Sequence, residues 1–91
     1  MDELLRALSH PARRRILAVA AGRPVSAGAI AQELGLANAT TSEHLKVLRK
    51  TGLVTMTVQG TWRLYTTDRA RVAEASALLA GFVDSLPEED R

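Results

Sequence analysis

The side chains best suited to chemistry lie in one stretch, Asn38 to Lys50, reading NATTSEHLKVLRK. Within it Thr41, Leu45 and Leu48 recur at i, i+4 and i+7, which predicts one apolar seam on a helix. Counting about 100° per residue from that seam, the opposite face carries Ala39, Thr40, Glu43, Lys46, Val47 and Lys50, with Ser42 and His44 on its flanks. Small polar residues come first and lysines follow. That order suits recognition rather than bond-making: the early residues can approach base edges in a major groove while the lysines reach phosphates. An ordinary solvated helix face has a similar composition, so the flanking elements must decide.

Bond-making chemistry has little to work with. The two histidines stand 34 positions apart, there is no cysteine, and no Gly-rich phosphate loop or G-x-S-x-G motif occurs. Ser42 and His44 are close in sequence but lack the third group and the pocket that would activate a serine. The absence of cysteine also removes disulfides, thiolate metal sites and thiol redox sensing. No catalytic residue, metal ligand set or cofactor site is assigned.

The elements that must position this helix are legible on both sides. Ile30, Ala31 and Leu34 share a stripe on a helix predicted over about Ala27 to Leu34, with Ser26 as N-cap and Gly35 as its left-handed end. Ala37 or Asn38 opens the next helix, and Asn38 has the better capping side chain. After Thr51-Gly52, Val54, Met56 and Val58 alternate with Thr55 and Thr57. Gln59-Gly60-Thr61 turns the chain, and Trp62-Arg63-Leu64-Tyr65 returns, with Trp62 and Leu64 on one side of the strand and Arg63 and Tyr65 on the other. Two helices joined by a tight turn and followed directly by a hairpin predict a winged helix-turn-helix. Gln59, Gly60 and Thr61 can offer backbone amides to phosphate oxygens. Arg63, near the tip, is either a solvated arginine or a minor-groove or phosphate contact.

Around this centre the chain predicts a short helix over Asp2–Ser9 and a second over about Pro11–Ala21. Val25 follows as a bridging piece, and a last helix runs over about Arg69–Leu86 with Asp68 as N-cap. The fold class is mainly α with a small β-hairpin: about five helices plus a two-stranded wing over residues 1–86, then an acidic tail over 87–91. The chain has 91 residues, 46% of them apolar, but only three aromatics, so Leu, Val, Ile and Ala must build the core. So short a chain cannot fully bury both terminal helices. They are expected to pair with a second copy through Leu4, Leu5, Leu8, Val72, Ala75, Leu79, Phe82, Val83 and Leu86.

The net charge of +2 conceals an uneven distribution: nine basic residues from Arg6 to Arg63 face only Glu33 and Glu43. A basic middle with acidic ends suits a central face that meets a polyanion. Arg13, Arg14 and Arg15 spread over about 200° of their helix and cannot all serve one surface. No apolar run approaches the roughly 18 residues of a membrane span. The N-terminus opens on two acids rather than a basic leader, so a cytoplasmic protein is expected.

Three segments, LSHPARRRIL at Leu8–Leu17, AIAQELGLANATTSEHLKVLRKTGLV at Ala29–Val54 and GTWRLYTT at Gly60–Thr67, together resemble the ArsR family of winged-helix repressors. The resemblance implies a homodimer that dimerises through its first and last helices, binds a pseudo-palindromic double-stranded operator and represses transcription. It implies DNA contacts from Asn38, Thr40, Ser42 and His44, which match the family's polar types. Ala39 is small enough to meet a thymine methyl, and Lys46, Arg49 and Lys50 would contact phosphate. Glu43 departs from the pattern; in a groove it can accept from cytosine N4, whereas facing phosphate it repels.

Many relatives release DNA on binding metal, but here the stretch from Pro24 to Gly28 holds no ligand of the Cys-x-Cys type. The last helix offers Asp68, Glu74 and Asp84 with no histidine. The resemblance is therefore to the metal-independent branch, with any small-molecule inducer unidentified. Two rivals stay open at this point. One is a winged-helix protein-interaction module without DNA readout; the other is a metal-responsive repressor using carboxylates and His10.

Overall fold

The computed structural model describes residues 2–89; Met1, Asp90 and Arg91, the last two in the expected tail, lie outside the described residues. Five helices and three strands follow in the order α1 (Asp2–Leu8), α2 (Pro11–Val19), β1 (Val25–Ser26), α3 (Ala27–Leu34), α4 (Asn38–Lys50), β2 (Val54–Gln59), β3 (Trp62–Thr67) and α5 (Arg69–Ser85). Local signals account for most of these boundaries. The Ser26 hydroxyl accepts from the Ala29 amide at 3.2 Å, and Gly35 ends α3 at φ 67°. Asp68 likewise caps α5 by accepting from the Arg71 amide at 3.2 Å. Gly60, at φ 60°, stands first in a two-residue loop that closes the hairpin, the place a tight hairpin turn reserves for glycine.

Two boundaries differ from expectation. α2 stops at Val19 instead of about Ala21: the Ala21 amide tightens onto the Ala18 carbonyl at 3.4 Å, and the Leu17 carbonyl it would meet in a continuing α-helix accepts from the Thr67 hydroxyl at 2.7 Å. β3 thus takes a carbonyl that would have continued the helix. The N-cap of α4 is Ala37, extended at φ −64° and ψ 146°, with no side-chain cap, while Asn38 is the first helical residue. Asn38 therefore does not cap, and its amide stands exposed at the start of the helix.

The sheet has three strands, in the order β1-β3-β2, all antiparallel. The hairpin was expected; β1 adds an edge in which Val25 pairs with Tyr65 and Ser26 with Leu64. The core lies where α1 to α4 meet the base of the sheet. Ile16, Ile30, Leu45, Leu48 and Leu53 are completely buried there, joined by Leu4, Ala7, Leu17, Val25 and Val54. Three bonds lock the returning end of the wing onto this core. They are Thr67 amide to Ala20 carbonyl, Thr67 hydroxyl to Leu17 carbonyl at 2.7 Å, and Asp68 amide to Leu53 carbonyl at 2.9 Å.

α5 contributes little to that core, with Ala75 its only buried residue. The radius of gyration, 15.5 Å, exceeds the ~12 Å of a compact chain this long, which fits a last helix left along one flank.

Leu48 sits at the centre of the packing with no exposed surface. Leu48→Ala is expected to lower the unfolding free energy by about 2–5 kcal/mol, measured by urea denaturation. A loss under about 1 kcal/mol would mean that α4 is not anchored through this seam.

Candidate nucleic-acid interface

The rotation of α4 follows from its buried seam. Thr41, Leu45 and Leu48 are all buried, as their spacing predicts. Thr41 can join two leucines there because its hydroxyl donates to the Ala37 carbonyl at 3.1 Å, leaving no polar atom unpaired. Asn38, Ala39, Thr40, Ser42, Glu43, Lys46, Arg49 and Lys50 are exposed. Val47, expected on the outward face, and His44, expected on its flank, are half-buried instead. Val47 is half-buried and packs on the core, since it falls next to Leu48 and over the α1–α2 side of the bundle.

His44 is also half-buried and faces α2. Its Nδ1 accepts from Arg13 Nε at 3.2 Å, and its ring meets that of His10 edge-on with centroids 4.6 Å apart.

That arrangement requires a neutral His44, because a protonated Nδ1 has no lone pair to offer Arg13. Partial burial holds its pKa below the ordinary histidine value, and the charges of His10 and Arg13 push the same way. Arg14 also bonds within the chain, donating to the Leu8 carbonyl at 2.8 Å. Of the three consecutive arginines, two are therefore occupied with internal bonds, and Arg15 is exposed.

A cleft runs between α4 and the wing, lined by Ser42, Lys46, Arg49, Lys50 and Tyr65. Three cations and two hydroxyls surround one concavity, a set of donors of the kind that phosphate oxygens accept from. Tyr65 reaches it because its side of β3, opposite that of Trp62 as the alternation predicts, packs toward the core. Behind the cleft the C-terminal end of α4 is held from α5. Arg71 Nε donates to the Thr51 carbonyl at 2.8 Å while its guanidinium also pairs with Glu74. At the far end of the hairpin Gln59, Gly60 and Arg63 are exposed.

The residues expected to meet a second copy divide into two groups. Leu4 and Ala75 are buried within the chain itself, at 2% and 4% exposure, and Leu5, Leu8 and Val72 are half-buried against the core. Leu79, Phe82, Val83 and Leu86 are each half or more exposed along the end of α5. Among the described residues no group of three or more potential ligands is placed to hold a metal ion, and no helix is long and apolar enough to cross a membrane.

A helix-turn-helix whose second helix presents a basic face beside a β-hairpin defines a winged helix-turn-helix protein. A model of the helix-turn-helix domain matches residues 8–57, and the chain belongs to that family. It is 44% identical over 52 residues to the HTH-type transcriptional regulator YgaV of Escherichia coli, a match covering 56% of this chain and 52% of that one. The chain thus spans about half the length of this relative. It is 24% identical over 84 residues to the transcriptional repressor SdpR of Bacillus subtilis, covering 92% of this chain and 93% of that protein.

Among solved structures it resembles the homodimeric winged helix-turn-helix DNA-binding domain of Mb0332 from Mycobacterium bovis, described as a possible ArsR-family regulator. The TM-score is 0.74 at 30% identity, over 91% of this chain and 77% of that one.

The His44 geometry sets a direction for pH dependence. A histidine whose folded pKa is depressed contributes stability that is present above its unfolded value, about 6.5, and is lost as pH falls through the folded value. The stability advantage of the wild type over His44→Gln should therefore be largest above about pH 6.5 and shrink on acidification. Thermal melts of both proteins from pH 8 to 5 measure it; a constant difference would show that His44 titrates alike in both states.

Proposed function

We propose that the chain is a homodimeric, sequence-specific transcriptional repressor of the ArsR type, acting on double-stranded DNA in the cytoplasm without sensing metal. The single observation that carries this reading is the exposed face of α4, small and polar from Asn38 to Glu43 and basic from Lys46 to Lys50, opening onto the cleft shared with Tyr65. In a major groove the first half would meet base edges. The second half and the wing residues Gln59, Gly60 and Arg63 would hold the backbone.

Support for a repressor comes from the likeness to a named repressor over nearly its full length. Support for a dimer comes from the exposed apolar end of α5 and from the homodimeric relative. A two-fold pair would set its α4 helices in successive major grooves about 34–36 Å apart. The absence of cysteine from the sequence and of histidine from α5 favours a regulator that does not respond to thiophilic or borderline metals.

Selection of bound duplexes from a random pool at two salt concentrations tests this reading. A dyad-symmetric site should be enriched, with binding that weakens steeply as salt rises. Failure to bind at either salt would instead favour a protein-interaction module. Lys46→Ala should weaken binding to every duplex and flatten the salt slope by about one unit, whereas Thr40→Ala or Glu43→Ala should change which sites are preferred. Equal binding of the whole pool by both classes of variant would displace α4 as the reading helix.

For the dimer, Phe82→Asp places a charge among Leu79, Val83 and Leu86. It should yield monomers in sedimentation and lower operator affinity; a dimeric variant with full affinity would refute this interface.

A further inference from the structure

Trp62 is the one tryptophan in the chain, and it is 64% exposed. It opens β3 on the side away from Tyr65, so it takes no part in the basic cleft. Instead it walls a second cleft, whose other side is formed by Gly28, Ala29 and Gln32 of α3 and by Asn38 of α4. This cleft is continuous with the candidate DNA face, because Asn38 is the first residue of α4. A single exposed apolar residue on a surface needs no explanation, but three features gather here. The indole lines a concavity, the concavity carries two side-chain amides, and its lining includes a helical glycine. A Cβ added at Gly28 would meet nothing within 4 Å, so nothing inside the chain requires that glycine. Glycine in a helix costs stability relative to alanine; what it leaves here is room for a backbone from outside.

We propose that this cleft receives one strand of the DNA backbone, with the Trp62 ring packed on a deoxyribose and its Nε1–H donating to a phosphate oxygen. The proposal rests on the DNA-binding reading above. An indole offers an apolar face and one donor, which matches the alternation of sugar and phosphate. The Gln32 and Asn38 amides can donate to the same phosphate. The Ser26 hydroxyl accepts from the Ala29 amide and keeps its own O–H free to donate to the phosphate as well. Sugar and phosphate are the same in every sequence, so Trp62 adds affinity without specificity. The ring is neutral and displaces no counterion, so it leaves the salt slope unchanged. Lys46 differs on that second count.

The experiment is a titration of the full chain with two duplexes, one enriched by selection and one unrelated, following tryptophan emission and affinity at two salt concentrations. Wild-type emission changes on both duplexes. Trp62→Ala binds both about tenfold more weakly, the scale of one aromatic contact to nucleic acid, with an unaltered salt slope and melting temperature. Trp62→Phe restores most of the loss. Gly28→Leu, whose Cβ meets nothing within 4 Å and which improves helix propensity, melts higher than the wild type yet binds more weakly. Salt-dependent wild-type binding with unchanged emission, and with Trp62→Ala and Gly28→Leu at full affinity, overturns the cleft while leaving the DNA reading intact. An absence of salt-sensitive binding by the wild type overturns the DNA reading itself, and the cleft with it.

Discussion

Burial of Thr41, Leu45 and Leu48 with Ile16, Ile30 and Leu53 sets the rotation of α4, and the rotation decides which side chains meet solvent. A turn of about 100°, one residue's worth, would bury Ser42 and expose Thr41, scrambling the outward face. Leucine side chains tolerate little freedom in a close-packed core, so the seam admits one orientation. Thr41 adds a polar atom without a penalty because its own helix satisfies it. The exposed order from Asn38 to Lys50 is therefore a consequence of what is buried behind it.

The wing is positioned by a different kind of interaction. Its tip is exposed and makes no core, but its base is tied by the Thr67 and Asp68 bonds to α2 and to Leu53. Each such bond is worth only about 0.5–1.5 kcal/mol net, yet together they fix direction, which apolar packing does poorly. With the base fixed and Tyr65 paired to Met56 and Val25, the two sides of β3 look onto two clefts. One is basic and lies against the middle of α4. The other lies against the starts of α3 and α4 and is walled by Trp62.

α5 has two parts. Its beginning is stitched to the core through Asp68, Arg71 and Ala75; its end carries an apolar stripe that stays exposed. The sequence shows the stripe as a spacing of three and four but cannot divide it. Leu4 and Ala75 read like Leu79 and Phe82 on paper, and only packing separates the two that the protomer buries from the two it leaves outside.

Within a turn or two of chain, sequence alone determined a good deal. The 41/45/48 seam, the Ser26 and Asp68 caps, the left-handed Gly35 and the tight turn at Gly60 are each set by neighbours a few residues away, and each appears where its spacing places it. Tertiary structure decided what depends on distant partners. Arg13, 31 positions earlier, donates to His44 on the flank of α4, a pairing no local spacing announces. Val47 sinks toward the α1–α2 side, and β1 finds β3 across 39 or so residues of intervening chain. α2 ends early where the Thr67 hydroxyl takes the Leu17 carbonyl, and Trp62 comes to line one cleft with Gly28 only when the wing folds back beside α3. Helical and strand periodicity are properties of the local backbone and can be read along the chain. Which cation meets which ring, and which apolar residue stays outside, depends on closing long loops, and that information exists only once the core has formed.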